Sequence, residues 1–159
     1  MDTIPALQDF FPNMTCFGCG PANRTGLRIK SFWSDNATEV ICSWRARAPH
    51  SSGMPNVAQG GILATLIDCH SIWTAIAWAY RQEGRAFGSE PMPGYVTGTL
   101  KEIKFLRPTP MDTTLLLRAH VVEQAERKSL VRCSIYAHEQ ECVKGDVVAI
   151  RLPESKYIR

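Results

Sequence analysis

The sequence lacks the features that would mark it for a membrane or for export. No uninterrupted apolar run approaches the roughly 20 residues that a bilayer-spanning helix needs. Residues 1–13 contain Asp2 and Asp9 but no Lys or Arg, so the basic start of a secretory signal peptide is missing. We therefore expect a cytoplasmic protein that does not act in a membrane.

An excess of charge of one sign is also lacking. The 159 residues contain 18 Lys and Arg against 15 Asp and Glu, which gives a formal net charge of +3. Nucleic-acid-binding proteins usually carry a concentrated basic stripe, so we expect no nucleic-acid partner. A hydrophobic content of 45% is enough for a real core. With no repeat, low-complexity tract or linker, the chain predicts a lead-in segment over 1–25 and a single domain over 26–159.

Metal-binding motifs are scarce. Only Cys16 and Cys19 form a CxxC, whereas a structural zinc site needs four ligands. Cys142 and His138 are possible completions, but nothing in the sequence fixes them. A redox CxxC would open a helix, and here Gly and Pro follow it, which indicates a turn. In a reducing compartment the other cysteines behave as small apolar residues. We predict neither a metal site nor a bound cofactor.

Two kinds of periodicity predict one long helix among strands. Apolar residues alternate with polar ones over 27–33 and 39–46, which predicts a hairpin. Over 59–82 the apolar residues recur every three or four positions without a proline, and Gly84 follows as a stop signal. Such a helix is roughly 36 Å long. Four more strands are predicted over 95–106, 114–123, 130–138 and 146–152, the last preceded by a turn at Lys144 and Gly145.

A single helix of this length needs a wide surface against which to bury its apolar stripe. Six strands supply that surface if an antiparallel sheet curls around the helix. The sequence therefore predicts an α+β architecture with a curved sheet wrapped around a central helix.

Three segments carry a resemblance to a known family. They are CFGCGPAN at 16–23 with GL at 26–27, AQGGILATLID at 58–68, and the strand at 100–110 that ends in FLRPTP. Together they resemble the hotdog-fold acyl-CoA thioesterases of the PaaI-like branch, in the 4-hydroxybenzoyl-CoA thioesterase superfamily. One departure is that the usual histidine before the two glycines is Gln59 here.

The resemblance implies an activity and an assembly. The expected reaction is hydrolysis of a small or medium acyl-CoA, or aryl-CoA, thioester, with coenzyme A entering only as part of the substrate. The expected assembly is a homodimer or a dimer of dimers. Asp68 of one protomer would face Gly60 of the other.

Thioester hydrolysis needs a donor for the oxyanion and a group that attacks or activates water. The first N–H groups of a helix are unsatisfied and lie at its positive end, so Gly60 is the candidate donor and Gly61 allows a carbonyl to come close. Asp68 is the candidate general base or nucleophile, and the sequence does not choose between these roles. The alternatives are that the glycines only permit close packing and that Asp68 is an ordinary polar residue of an exposed face.

Further candidates surround this set. Thr97 and Thr99 have the same strand parity, which predicts that they point to one face. His70 falls on the apolar stripe and is predicted to be a hydrogen-bonded core residue. The catalytic candidates are Asp68, Gly60, Gln59 and Thr99, and the substrate-binding candidates are Gly61, Thr97, His50, Ser71, Ile72, Lys104 and Arg107. Lys104 and Arg107 are candidates for the phosphates of coenzyme A.

Two other functions stay open on the sequence alone. The departure at Gln59 is compatible with a non-catalytic module that binds or senses acyl-CoA. A purely structural oligomerisation domain is the third possibility. A carboxylate at Asp68 favours a hydrolase over both, because neither alternative needs an acid beside the thioester.

Overall fold

The computed structural model describes residues 4–154. Within them a single α-helix and six strands form the framework, with short 3-10 helices at Leu7–Phe10 and Ala48–His50. The elements are β1 (Ser31–Trp33), β2 (Val40–Arg45), α1 (Gly60–Gln82), β3 (Tyr95–Phe105), β4 (Thr114–Gln124), β5 (Lys128–Ala137) and β6 (Gln140–Arg151).

Helix α1 begins and ends where its sequence signals lie. Gln59 is the N-cap, with extended backbone, and its side-chain oxygen accepts the Ile62 N–H at 2.8 Å. After Gln82 the chain reaches Gly84, whose φ of +63° is a conformation that glycine adopts without strain. The predicted helix is confirmed at both ends.

The six strands form one antiparallel sheet in the order β1-β2-β4-β5-β6-β3. The sheet curves around α1, which contacts strands β3 to β6. Along β4 the side chains alternate between the core and solvent, and Leu115, Leu117 and Ala119 are fully buried against the helix. Each large apolar side chain buried in this way contributes roughly 1.5–3 kcal/mol. The predicted α+β hotdog architecture is confirmed.

The helix is buried within this sheet, although its composition alone would also suit a membrane. Its length and a mean hydropathy of 1.4 would suit a membrane span, but 67% of that window is buried inside the fold. Trp73 and Leu66 have at most 1% of their surface exposed. These are the properties of the core helix of a folded domain.

The turn between the last two strands was predicted in the wrong place. Strand β6 begins at Gln140 and runs through Lys144 and Gly145. The turn is instead the two-residue loop His138–Glu139, with φ of 48° and 65°, which closes Ala137 onto Gln140. Two positive φ angles are typical of a tight hairpin turn. The usual Asn or Gly is absent from this turn, and Gly145, which suggested a turn, lies inside β6 instead.

The first strand is shorter than predicted. Arg28 has a φ of 52°, so the extended strand begins only at Ser31. The predicted hairpin is confirmed, with Trp33 opposite Val40. Part of the lead-in segment packs on the core as well, since Leu7 is 5% exposed and Gln8 is fully buried.

Candidate active site

Asp68 lies on the face of α1 that is turned toward β3. It is half-buried, and the Thr97 hydroxyl of β3 donates a hydrogen bond to its Oδ1. Burial raises the pKa of Asp68, and the hydrogen bond from Thr97 opposes that rise. The second carboxylate oxygen has no protein donor among residues 4–154. It is therefore available to a water molecule or a substrate.

The N-terminus of α1 offers two free donors. The Ile62 N–H is taken by Gln59, and the Gln59 N–H donates to the carbonyl oxygen of His50 at 2.8 Å. Neither the Gly60 N–H nor the Gly61 N–H finds an acceptor in the part of the chain that the structure describes. Since these groups lie at the positive end of the helix dipole, they suit a developing oxyanion.

The Gln59 side chain covers the start of the helix. Its Oε1 both caps Ile62 and lies against Gly61, where a Cβ would come within 2.9 Å of it. With the oxygen used as a cap, only the amide NH₂ of Gln59 remains to donate to a ligand. The residue that replaces the family's histidine is thus part of the helix cap.

The two halves of the candidate site are too far apart to serve one thioester within a protomer. Gly60 and Asp68 are separated by eight positions of α1, and the rise of 1.5 Å per residue makes about 12 Å. The reacting carbonyl must lie about 3 Å from its oxyanion donor and no more than one water molecule away from its general base. Gly60 and Asp68 of one protomer therefore do not meet at one thioester.

A bulge in β3 separates the two threonines. Thr97 pairs with Ala149 but Thr99 pairs with Val148, so Gly98 is an extra residue in β3. Ala149 is fully buried and Val148 is only half-buried, which places Thr97 on the helix side and Thr99 on the outer side. The prediction that both point to one face was wrong, because strand parity does not survive an inserted residue.

Several solved structures share the fold of this chain. No family model matches the chain, and no curated protein matches it. Among solved structures, a thioesterase superfamily protein from Shewanella loihica PV-4 is 32% identical over 79% of this chain and 91% of that chain, with a TM-score of 0.63. The chain belongs to the thioesterase superfamily.

Two more distant solved structures show the same fold. The PaaI protein from the phenylacetic acid degradation operon of E. coli is 18% identical, covers 80% of this chain and 81% of its own, and has a TM-score of 0.63. A phenylacetic acid degradation-related protein from Ralstonia eutropha JMP134 is 17% identical over 78% and 85% of the two chains, with a TM-score of 0.64. The PaaI-like hotdog resemblance is confirmed at the level of the fold.

In this thioesterase-superfamily chain, three of the predicted binding residues are wholly or partly buried within the protomer. His50 is 5% exposed, stacks on Trp44 with ring centroids 5.1 Å apart, and accepts the Arg47 N–H at 3.0 Å. Burial lowers the pKa of His50. Ser71 is fully buried, while Ile72 is half-buried against the core. None of them presents an open polar contact within the protomer.

The two basic candidates lie at the far end of β3. Lys104 is exposed and pairs with Glu102 at 3.2 Å. Arg107 follows the strand and lines a shallow groove of about 320 Å³ together with Asn56 and His138. This end of β3 is near the helix start, since the ring of Phe105 lies 3.4 Å from the point where a Cβ on Gly60 would stand.

His70 is a structural residue of this fold, as predicted. It is fully buried, its Nε2–H donates to the Val40 carbonyl oxygen at 3.0 Å, and its Nδ1 accepts from the Ser31 hydroxyl at 2.9 Å. Gln8 closes the network by bonding both the hydroxyl and the N–H of Ser31. Burial lowers the pKa of His70 to about 4, so it stays neutral.

Proposed function

We propose that this protein is a thioesterase that hydrolyses a small or medium acyl-CoA, or aryl-CoA, thioester to the free acid and CoA. The observation that carries the proposal is the pair of complementary groups on α1. One end presents two free N–H donors at Gly60 and Gly61, and the middle presents the half-buried carboxylate of Asp68. Membership of the thioesterase superfamily supports this chemistry.

The proposed reaction uses Asp68 as a general base. The carboxylate removes a proton from a water molecule, whose oxygen attacks the thioester carbon. The carbonyl oxygen becomes an oxyanion that accepts the Gly60 N–H. The C–S bond then breaks, the acid departs, and the CoA thiolate takes up the proton. Direct attack by Asp68, with a mixed anhydride that water then opens, would use the same two groups.

Thr97 fixes the carboxylate for this role. Its hydroxyl occupies one oxygen of Asp68 and leaves the other for water. Thr99 lies on the outer side of the edge strand, so we propose that it contributes to a site only where a second copy covers that side. Gln59 would contribute its amide N–H groups, because its oxygen caps the helix.

A homodimer is the smallest assembly that completes the proposed site. Because Gly60 and Asp68 lie about 12 Å apart along α1, we propose that Asp68 comes from one protomer and Gly60 from its partner. Strand β3 ends the sheet order, so its outer edge has no partner strand within residues 4–154. Val96, Leu100 and Phe105 are 40–54% exposed on this strand. A long edge strand with exposed apolar side chains favours pairing with another chain.

The ligand proposal follows from the same edge. Lys104 and Arg107 carry positive charge beside the helix start, where the nucleotide phosphates of coenzyme A could bind. We propose no bound cofactor for the hydrolysis itself, no nucleic-acid partner, and a cytoplasmic location. The acyl pocket would form between the protomers, next to the half-buried Ile72.

Free-CoA release across a panel of acyl-CoA and aryl-CoA thioesters tests the proposal. Asp68→Asn should lose 10²-fold or more in kcat, which is roughly what a general base supplies. The variant should keep its thermal stability, because burial already disfavours the charged form of Asp68. Asp146→Asn is the matched control, since that carboxylate pairs with Arg132 on the sheet at 2.9 Å.

The outcomes separate the candidate functions. Turnover that survives in Asp68→Asn would overturn the role of Asp68. Acyl-CoA binding by the wild type without any turnover would favour the non-catalytic acyl-CoA-binding module instead. A loss shared equally by Asp68→Asn and Asp146→Asn would point to general destabilisation.

A further inference from the structure

Three cysteines from distant parts of the sequence meet beside α1. Cys16 and Cys19 belong to the turn of the lead-in segment, and Cys69 follows Asp68 in the helix. Their sulfur atoms all lie within 4.8 Å of one another. Cys42, Cys133 and Cys142 lie on strands of the sheet instead and are not part of this group.

The sulfur spacing fits a shared metal ion. The Sγ atoms of Cys16 and Cys69 are 3.7 Å apart, and all three cysteines are free thiols. A covalent disulfide would bring two sulfurs to about 2.05 Å. Two thiolates on one tetrahedral zinc, with Zn–S bonds of about 2.3 Å, are roughly 3.8 Å apart. The thiols thus have the spacing of ligands rather than of a bonded pair.

The turn is shaped to bring its cysteines onto the helix. A side chain at Gly18 would place its Cβ 2.3 Å from the Cys69 Sγ, so only glycine lets the turn approach this closely. The Gly20 N–H donates to the Cys16 carbonyl oxygen at 2.8 Å, and the Ile29 N–H donates to the Gly18 carbonyl oxygen at 3.1 Å. These bonds hold the turn in place.

The burial of the three thiols differs in a way that suits a site with one open position. Cys19 and Cys69 are 6% and 7% exposed, whereas Cys16 is at the surface. Cations can therefore enter beside Cys16, and a solvent molecule can occupy the fourth position of a tetrahedron. Soft thiolate ligands select d¹⁰ cations such as Zn²⁺ over the hard cations Mg²⁺ and Ca²⁺.

We propose that Cys16, Cys19 and Cys69 bind one Zn²⁺ ion. Binding replaces the thiol protons, which are released to solvent, by three Zn–S bonds. The ion ties the lead-in segment to α1 at the residue next to Asp68. The CxxC motif alone supplies too few ligands for a zinc ion. Cys69 supplies the third ligand from α1, where a cysteine would otherwise be only a small core residue. This inference does not depend on the proposed thioesterase activity.

The test is a zinc titration of the full-length chain, purified under reducing conditions and stripped with a chelator. Competition against a chromophoric chelator should give one Zn²⁺ per chain, and Co²⁺ should produce a sulfur-to-metal charge-transfer band. Cys16→Ser is the main variant, because its exposed side chain can change without disturbing the core. Cys69→Ser is the second, and Cys42→Ser is the control at a buried cysteine outside the cluster.

Cys16→Ser and Cys69→Ser should each weaken zinc binding by about 10²-fold or more, because losing a ligand costs at least as much as losing its supporting contacts. Zinc should raise the Tm of the wild type and of Cys42→Ser but not of Cys16→Ser. Three results would overturn the proposal: no zinc bound by the reduced wild type, equal binding by Cys16→Ser and wild type, or a Cys16–Cys69 disulfide as the resting form.

Discussion

Asp68 and His70 stand two residues apart on one helix, yet they have opposite surroundings. His70 is fully buried, and both ring nitrogens are hydrogen-bonded, to Ser31 and to Val40. Asp68 is half-buried and has one side-chain partner, Thr97. Two positions turn the helix by about 200°, so one side chain enters the core while the other faces the edge of the sheet.

The contrast separates polar residues that hold the fold from those available for chemistry. A buried group with every hydrogen bond made stabilises a unique structure, and removing a partner costs about 1–3 kcal/mol. A half-buried carboxylate with one oxygen left without a partner lowers the stability of the folded state, but that oxygen is available for a reaction. The His70 face is therefore structural, and the Asp68 face is the candidate catalytic one.

The largest effect beyond Asp68 itself should come from the helix start. Gly60→Pro removes the N–H at the first helical position, where proline is tolerated, and the extended Gln59 (φ −70°, ψ 134°) suits a following proline. We expect kcat for free-CoA release to fall roughly 10²- to 10³-fold, as for the loss of one oxyanion donor.

Gly60→Ala is the matched control, because it keeps the N–H and its Cβ would meet Phe105 at an ordinary 3.4 Å. Its kcat should stay close to that of the wild type. Equal losses in Gly60→Pro and Gly60→Ala would contradict an oxyanion role for this amide.

The buried His70 should make the stability of the folded chain depend on pH. The pKa of His70 is about 4 in the folded chain against about 6.5 when unfolded, because burial disfavours the charged ring. The neutral, buried His70 contributes its full stabilisation above pH 6.5. As the pH falls from 6.5 through 4, the unfolded chain gains a proton at His70 before the folded chain does, and this stabilisation is lost. The cost amounts to about 3 kcal/mol. Urea unfolding between pH 7 and 4 measures this loss.

His70→Gln is the reference variant for this measurement, since glutamine has a donor and an acceptor but no titratable group. The carboxylates titrate in both proteins, so the difference between the two curves isolates His70. Parallel curves would show that His70 does not stay neutral in the fold.

The smallest expected effect concerns the two threonines of β3. Thr97→Val removes the hydrogen bond to Asp68 with little change in shape, and we expect kcat to fall about 10-fold with KM little changed. Thr99→Val is the matched control on the other side of the strand, with an expected change below that of Thr97→Val. The reverse order of effects would contradict the assignment of Thr97 as the positioning residue.

Local patterns were enough to predict the helix and the position of its acid. The period of α1, the absence of proline and Gly84 fixed its bounds, and Asp68 follows from the same count. Features that depend on one inserted residue or on a turn without glycine were not predictable. Because of the bulge at Gly98, Thr99 lies on the opposite side of β3 from the one predicted. The positive φ angles at His138 and Glu139 place the last turn at these residues rather than at the predicted position.

Contacts between distant segments of the chain were also not predictable from the sequence. Nothing in the spacing of Cys16 and Cys19 indicates that Cys69, some fifty residues later, supplies a third sulfur. In the same way, the sequence suggested that His50 and Ser71 line a site, but packing buries both. Burial is a property of the whole fold, so residue type alone cannot assign it.

In the proposed dimer, one active site takes Asp68 from one protomer and Gly60 from its partner. Mixing Asp68→Asn with Gly60→Pro, after dissociation and reassembly, tests it by CoA release. Random pairing makes about half of the dimers mixed, and each has one intact site, so about a quarter of the wild-type activity should return. Activity no higher than the mean of the two separate variants, with mixed dimers shown to be present, would contradict a shared site.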